Sequence, residues 1–296
     1  MTRIRRVAIV VFVLGVVVAT LRDDVPSRPP IQVGGYQVLS GDFHVHAFVG
    51  DGGLAPWMLQ RHAARVGLDV IAITNHDQTL AARIGRWAAR QSSGPMILVG
   101  EEITGRDFHL IAVGIERAVD WNQPAGAAID QVHAQGGVAI AAHPMHGFAE
   151  GYDERALAQL DGLEATNPGF VHSLREMQVE EFYQRTLERN PAVAVIGSSD
   201  FHTAASMGGC RTYLLVRERS KTGVIDAIRD GRTVGRCAPD RRRGRPEQLR
   251  GRPELVRLIE PYRDALAPSP EDLLSKMTTF AVWLSLVAFA LLGPRS

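Results

Sequence analysis

From residue 36 to residue 236, short apolar runs alternate with amphipathic stretches, and this alternation limits the fold more than any other feature of the chain. The apolar runs lie at 38–43, 70–74, 96–99, 110–113, 138–142, 163–165 and 193–198. Short runs of this kind bounded by turn residues read as buried strands. The stretches 55–66, 79–91, 125–135, 174–188 and 221–230 repeat their apolar residues at helical spacing and read as helices. Strand–helix alternation implies a parallel sheet with helical cover. Seven strands suit a closed or nearly closed α/β barrel better than a small open sheet, and such barrels carry their chemistry at the C-terminal strand ends.

The residues at those strand ends are therefore the informative ones. The first predicted strand runs into HVHAFVGDGG, with His44, His46 and Asp51. Alternate strand positions share a face, so the two imidazoles point the same way. The second strand leads to His76 in TNHD, and the third to Glu101 and Glu102 in GEEIT. The fourth opens with His109, the fifth ends in AAHPMH with His143 and His146, and the seventh ends in GSSDFH with Asp200 and His202. One histidine beside an apolar strand is usually a satisfied polar residue. Six boundaries with the same chemistry point instead to a metal centre built from imidazoles and carboxylates. His62 and His133 fall on predicted helices and read as surface or packing residues.

In order, the motifs HVH…D, TNHD, GEEIT, FHLIAVG, AHP and SDFH resemble the four-motif signature of the PHP superfamily, the polymerase-and-histidinol-phosphatase group of metal-dependent hydrolases. The likeness covers residues 38–236, and the compact form resembles the CehA/McbA-like metallohydrolases. It implies a distorted seven-stranded β/α barrel with two or three divalent ions. By motif position it implies His44, His46, Asp51, His76, Glu102, His109, His143, Asp200 and His202 as ligands. Glu102 is preferred over Glu101 because the family's glutamate sits two residues after the glycine, here Gly100, and only one of two adjacent strand residues can face the site.

Such a donor set suits Zn, Mn or Fe. Adjacent divalent ions supply hydroxide near neutral pH and hold the oxygens of a displacement, which fits hydrolysis of a small phosphate ester. Glu102, as bridging carboxylate, Asp200 and His202 take the catalytic roles. His146 and Arg211 are candidates for substrate binding, with surface roles as the alternative. Asp77 is either an orienter of His76 or a helix N-cap. A metal-dependent carbamate, ester or amide hydrolase is the second reading, and a tethered metal-binding regulatory module without turnover the third. A formal net charge of +1 provides no global field for nucleic acid.

The ends of the chain carry a separate expectation. Residues 7–21 are apolar and follow Arg3, Arg5 and Arg6, and residues 277–292 are nearly charge-free. Residues 1–24 read as a signal peptide or signal anchor, 25–35 as a linker and 273–293 as a transmembrane helix. The Arg- and Pro-rich residues 237–272 read as a tether. On this reading the domain at 36–236 is membrane-anchored and extracytoplasmic, the membrane being a partner. Two cysteines, Cys210 and Cys237, exclude a zinc finger or a disulfide framework and leave open one disulfide or two buried thiols.

Overall fold

The structure, a computed structural model, describes residues 3–21, 30–89, 94–170, 173–202, 206–239, 247–263 and 265–266. It divides into two compact units, residues 1–27 with 269–296 and residues 28–268. In the first unit the described residues form one helix, α1 (Arg3–Leu21). Among the described residues no helix is long and apolar enough to cross a membrane, which overturns the transmembrane and membrane-anchored readings. The arginines of its first turn leave residues 7–21, roughly 22 Å of apolar helix at 1.5 Å per residue. A hydrocarbon core is about 30 Å thick. The run at 277–292 lies outside the described residues.

The second unit is built on one mixed sheet. Its strands are β1 (Ile31–Val33), β2 (Tyr36–Val45), β3 (Val70–Ile73), β4 (Met96–Thr104), β5 (His109–Val113), β6 (Val138–Ala141), β7 (Gly162–Thr166), β8 (Ala194–Gly197), β9 (Cys210–Val216), β10 (Thr233–Cys237) and β11 (Gln248–Gly251). Their order is β11-β10-β9-β2-β3-β4-β5-β6-β7-β8, with β1 beside β2. The helices are α2 (Pro56–Arg65), α3 (Leu80–Ala89), α4 (Ala125–Ala134), α5 (Glu154–Gln159), α6 (Ser173–Arg189), α7 (Lys221–Arg229) and α8 (Pro253–Ile259).

This corrects the seven-stranded parallel barrel. The sheet is a nearly closed, barrel-like path of ten strands, parallel only in β2-β3-β4 and β6-β7-β8. The connection between β4 and β5 is four residues, too short for a parallel crossover, so the pair forms an antiparallel hairpin. On the other side β9 pairs antiparallel with β2, and β10 and β11 extend it. Residues 237–272, read as a tether, contribute β11 and α8. The Thr212 hydroxyl accepts from the Gly197 amide at 3.0 Å and donates to the Gly197 carbonyl at 2.9 Å, so β8 returns against β9. This approach requires glycine: a Cβ on Gly197 would lie 2.4 Å from the Arg211 carbonyl oxygen. Cys210 and Cys237, opposite one another on β9 and β10, form a disulfide.

Inside the sheet, Leu39, Phe43, Val70, Ala72, Leu98, Ile111, Val113, Ile140 and Ile196 pack with Val224 and Ile228 of α7. This interior core fills the barrel below the strand ends that carry the histidines. Separate apolar clusters lie under α2 and α3 and under α4 to α6.

Candidate metal centre

Strand alternation delivers most of the site. On β4, Leu98 belongs to the interior core, and Gly100 and Glu102 follow it on the same face. Glu101 takes the opposite face, where its Oε1 accepts from the Val119 amide at 2.6 Å. On β5, His109 precedes the interior residues Ile111 and Val113 at the same period. His76 stands two residues beyond Thr74, at the mouth after β3.

On β2 alternation alone would fail. Leu39 and Phe43 face the interior, which would send His44 outward. The β2–β3 register shifts between Asp42 and Val45. A bulge re-aims the residues after it, so His44 and His46 turn inward while Val45 joins the cluster under α2 and α3. Asp42 secures this turn by accepting from the amides of Ser199 at 3.1 Å and Gly208 at 2.8 Å. Burial pushes its carboxyl up to about 6.

The nine candidate ligands converge. Glu102 Oε2 lies 3.1 Å from His44 Nε2 and 3.3 Å from both His46 Nε2 and His76 Nδ1. Its Oε1 lies 2.8 Å from His109 Nδ1 and 3.1 Å from His143 Nε2. Asp200 Oδ1 lies 3.2 Å from His44 Nε2 and 3.5 Å from His46 Nε2. Asp51 approaches His46 Nδ1 and His202 Nε2, both at 2.9 Å, and His76 Nε2 at 3.4 Å. The rings of His46 and His202 stack at 4.0 Å. Four overlapping groups, each with ligand atoms within 4.8 Å of one another, result: His46, Asp51, His76 and His202; His44, His46 and Glu102; His44, His143 and Asp200; and Glu102, His109 and His143.

Burial alone would raise the Glu102 carboxyl, but the imidazoles of His44, His109 and His143 hold it well below the usual range. Asp200 is likewise lowered against its burial, by His44 and His46. His46 Nε2, His143 Nδ1 and Asp200 Oδ1 are buried without a hydrogen-bond partner. Buried polar atoms are normally satisfied, and a cation satisfies imidazole and carboxylate lone pairs together. The donor set fits divalent Zn, Mn or Fe on these grounds. Non-glycine residues with positive φ among the described residues are Val49, Asp77, His143 and Asp200, and all four border this centre. Strained backbone gathers where surrounding structure enforces a functional geometry.

The two substrate-side candidates fall outside the cluster. His146 is exposed and paired with Glu150. Arg211 is completely buried: its guanidinium donates to the carbonyls of Gly208, Gly67 and Val66 and to the Ser40 hydroxyl. It ties β9 to the end of α2 and does not face the mouth. Asp77 neither caps α3, which begins at Leu80, nor bonds His76; its Oδ1 accepts from the Thr104 amide at 2.8 Å. Thr104 in turn places its Oγ1 2.7 Å from His76 Nδ1. Three contacts were not read from the sequence: this hydroxyl, the Phe148 ring edge-on to His109 and His143 at 4.6 and 4.8 Å, and Glu164 beneath His44. A carboxylate inside the short apolar strand GLEAT was the available signal for Glu164.

No protein-family model matches the chain. An uncharacterized protein of Methanocaldococcus jannaschii is 26% identical over 113 residues, 38% of this chain and 66% of that protein. A two-domain protein from Bacteroides vulgatus, described as containing a predicted PHP-like metal-dependent phosphoesterase, superimposes with a TM-score of 0.59 at 22% identity. That match covers 79% of this chain and 74% of the other. A candidate metal-dependent phosphoesterase from Bifidobacterium adolescentis aligns more loosely, with a TM-score of 0.47 at 19% identity over 61% of this chain and 92% of that one. The chain shares the fold of the Bacteroides protein.

Proposed function

We propose that the chain is a metal-dependent hydrolase of the PHP type whose substrates are small phosphate esters. The observation that supports this reading best is Glu102, one buried carboxylate facing five imidazoles from β2, β5 and the ends of β3 and β6. The group His46, Asp51, His76 and His202 and the group Glu102, His109 and His143 share no residue. They are the proposed holders of two divalent ions, with His44 and Asp200 between them available to a third. Divalent ions, if held there, would supply acidified water and charge to offset the phosphoryl oxygens.

The protein's own groups have distinct tasks. Glu102 sets the spacing of the imidazoles around it. Asp200 Oδ1, held ionised by His44 and His46 and without a hydrogen-bond partner, accepts the proton of the attacking water. The same carboxyl returns that proton to the leaving oxygen as the phosphorus–oxygen bond breaks, while His202, a third exposed at the mouth, stays among the proposed metal holders and has its Nδ1 3.1 Å from the Asp200 carbonyl oxygen. The reading is supported by a fold shared with a Bacteroides vulgatus protein that is described as containing a predicted PHP-like metal-dependent phosphoesterase.

The test is a panel of aryl and alkyl phosphomonoesters, phosphodiesters and aryl carbamates, assayed with Zn²⁺, Mn²⁺ or Fe²⁺. Turnover of a phosphate ester that falls to background in Asp200→Ala is the expected result. Turnover of carbamates alone would replace the phosphoesterase reading with the carbamate one.

A further inference from the structure

Glu164 lies in the middle of β7 and is completely buried. Its flanking residues Leu163 and Ala165 pack in the cluster under α4 to α6, so strand alternation turns Glu164 to the interior. Its Oε1 lies 2.9 Å from His44 Nδ1. Its Oε2 accepts from the His143 amide at 2.8 Å and from Asn167 Nδ2 at 3.1 Å. One carboxylate thus holds a ring on β2 and the backbone just after β6. His143 is the residue whose φ is +26°, and its ring stacks on His44 at 5.6 Å.

We infer that Glu164 is a positioning residue for the metal centre: it commits His44 to carry its proton on Nδ1, so that the bare Nε2 faces Glu102 and Asp200, and it anchors His143 in its left-handed conformation. The inference rests on the metal-dependent reading above. A carboxylate on the far nitrogen of a ligating histidine fixes tautomer and ring orientation, and losing it weakens metal binding about 10- to 100-fold.

The donors around Glu164 make Glu164→Gln a sharp test. The His143 amide can only donate. The Asn167 amide is held in its orientation because its Oδ1 already accepts from Gly169 N at 2.8 Å. The glutamine oxygen must therefore occupy the Oε2 side, which leaves its NH₂ against His44 Nδ1. That nitrogen then has to accept, and the proton moves to Nε2, removing the lone pair from the centre. The group His46, Asp51, His76 and His202 does not touch Glu164 and keeps its ligands.

Zn²⁺ is titrated into the metal-free full chain in competition with a chromogenic chelator, for the wild type, Glu164→Gln and Glu101→Gln. Glu101 is the neighbouring buried carboxylate on the opposite face of β4. Glu164→Gln is expected to weaken at least one Zn²⁺ equivalent about 10- to 100-fold, and to retain another at wild-type affinity, with Glu101→Gln unchanged. Equal affinities in the wild type and Glu164→Gln would overturn the positioning role alone. A wild type that takes up no Zn²⁺ would overturn the metal reading with it. Should Glu164→Gln not fold, ¹⁵N-histidine spectra of the Zn²⁺-loaded wild type decide the matter: a proton on His44 Nδ1 is expected, and a proton on Nε2 would overturn the inference.

Discussion

At the scale of single residues, charge and position exchange roles between the sequence and the folded chain. Arg211 follows a cysteine in a strand near the SDFH motif, and its sequence offers nothing to separate an anion binder from a surface charge. Folded, it is fully buried and spends its donors on backbone carbonyls. Removing it leaves those carbonyls and the Ser40 hydroxyl short of partners in a dry environment, which costs about 2–4 kcal/mol. Arg211→Ala is therefore expected to lower Tm by roughly 5–15 °C while kcat/KM of the folded fraction stays near wild type. A variant with unchanged Tm and kcat/KM reduced about 100-fold, a loss of about 2.7 kcal/mol of transition-state stabilisation, would return Arg211 to the substrate. The candidate ligands were easier to read, because short motifs put them next to the strand ends that gather them. Glu164 and Thr104 are harder to read, since each acts through another residue; Glu164 lies outside every motif, and Thr104 closes GEEIT as a side chain with no metal-binding chemistry of its own.

Secondary-structure elements carry the site by choosing faces. β4 places Glu102 in the candidate metal centre and Glu101 in the apolar layer behind it, and the two carboxylates behave oppositely. Imidazoles lower Glu102. Burial raises Glu101 to about 7, with only the Val119 amide in opposition among its hydrogen bonds. A carboxyl whose folded value is raised stabilises the fold below its ordinary value and loses that contribution as pH rises through its folded value. The window for Glu101 runs from about 4.5 to about 7. The stability difference between Glu101→Gln and the wild type should therefore shift in favour of the variant between pH 4.5 and pH 8, as read by urea denaturation. A difference that stays constant with pH would mean that Glu101 keeps an ordinary carboxylate environment.

The elements themselves were unequally legible. Runs such as VIAI in β3 and VAIA in β6 are wholly buried and continuous in the sequence. β9 and β10 were hidden because Arg211 and Arg236 interrupt their apolar pattern, although both side chains are buried. The bulge in β2 leaves no mark at all, since it is a property of pairing with β3.

The molecule as a whole combines an interior packed with aliphatic side chains and a mouth lined with imidazoles and carboxylates. Hydropathy suggested a membrane-spanning helix at the N-terminal run, and among the described residues chain geometry corrects it: the apolar part of α1 is shorter than a hydrocarbon core. Strand–helix alternation pointed to a barrel, while the short β4–β5 connection and the added β9–β11 made it mixed and larger. The central claim is that the convergence on Glu102 exists to hold metal. Elemental analysis of the purified full chain, prepared metal-replete and then freed of loosely bound ions, tests it most directly. Two or three equivalents of Zn, Mn or Fe per chain, falling by at least one in Glu102→Gln, is the predicted result; fewer than one equivalent in the wild type would contradict it.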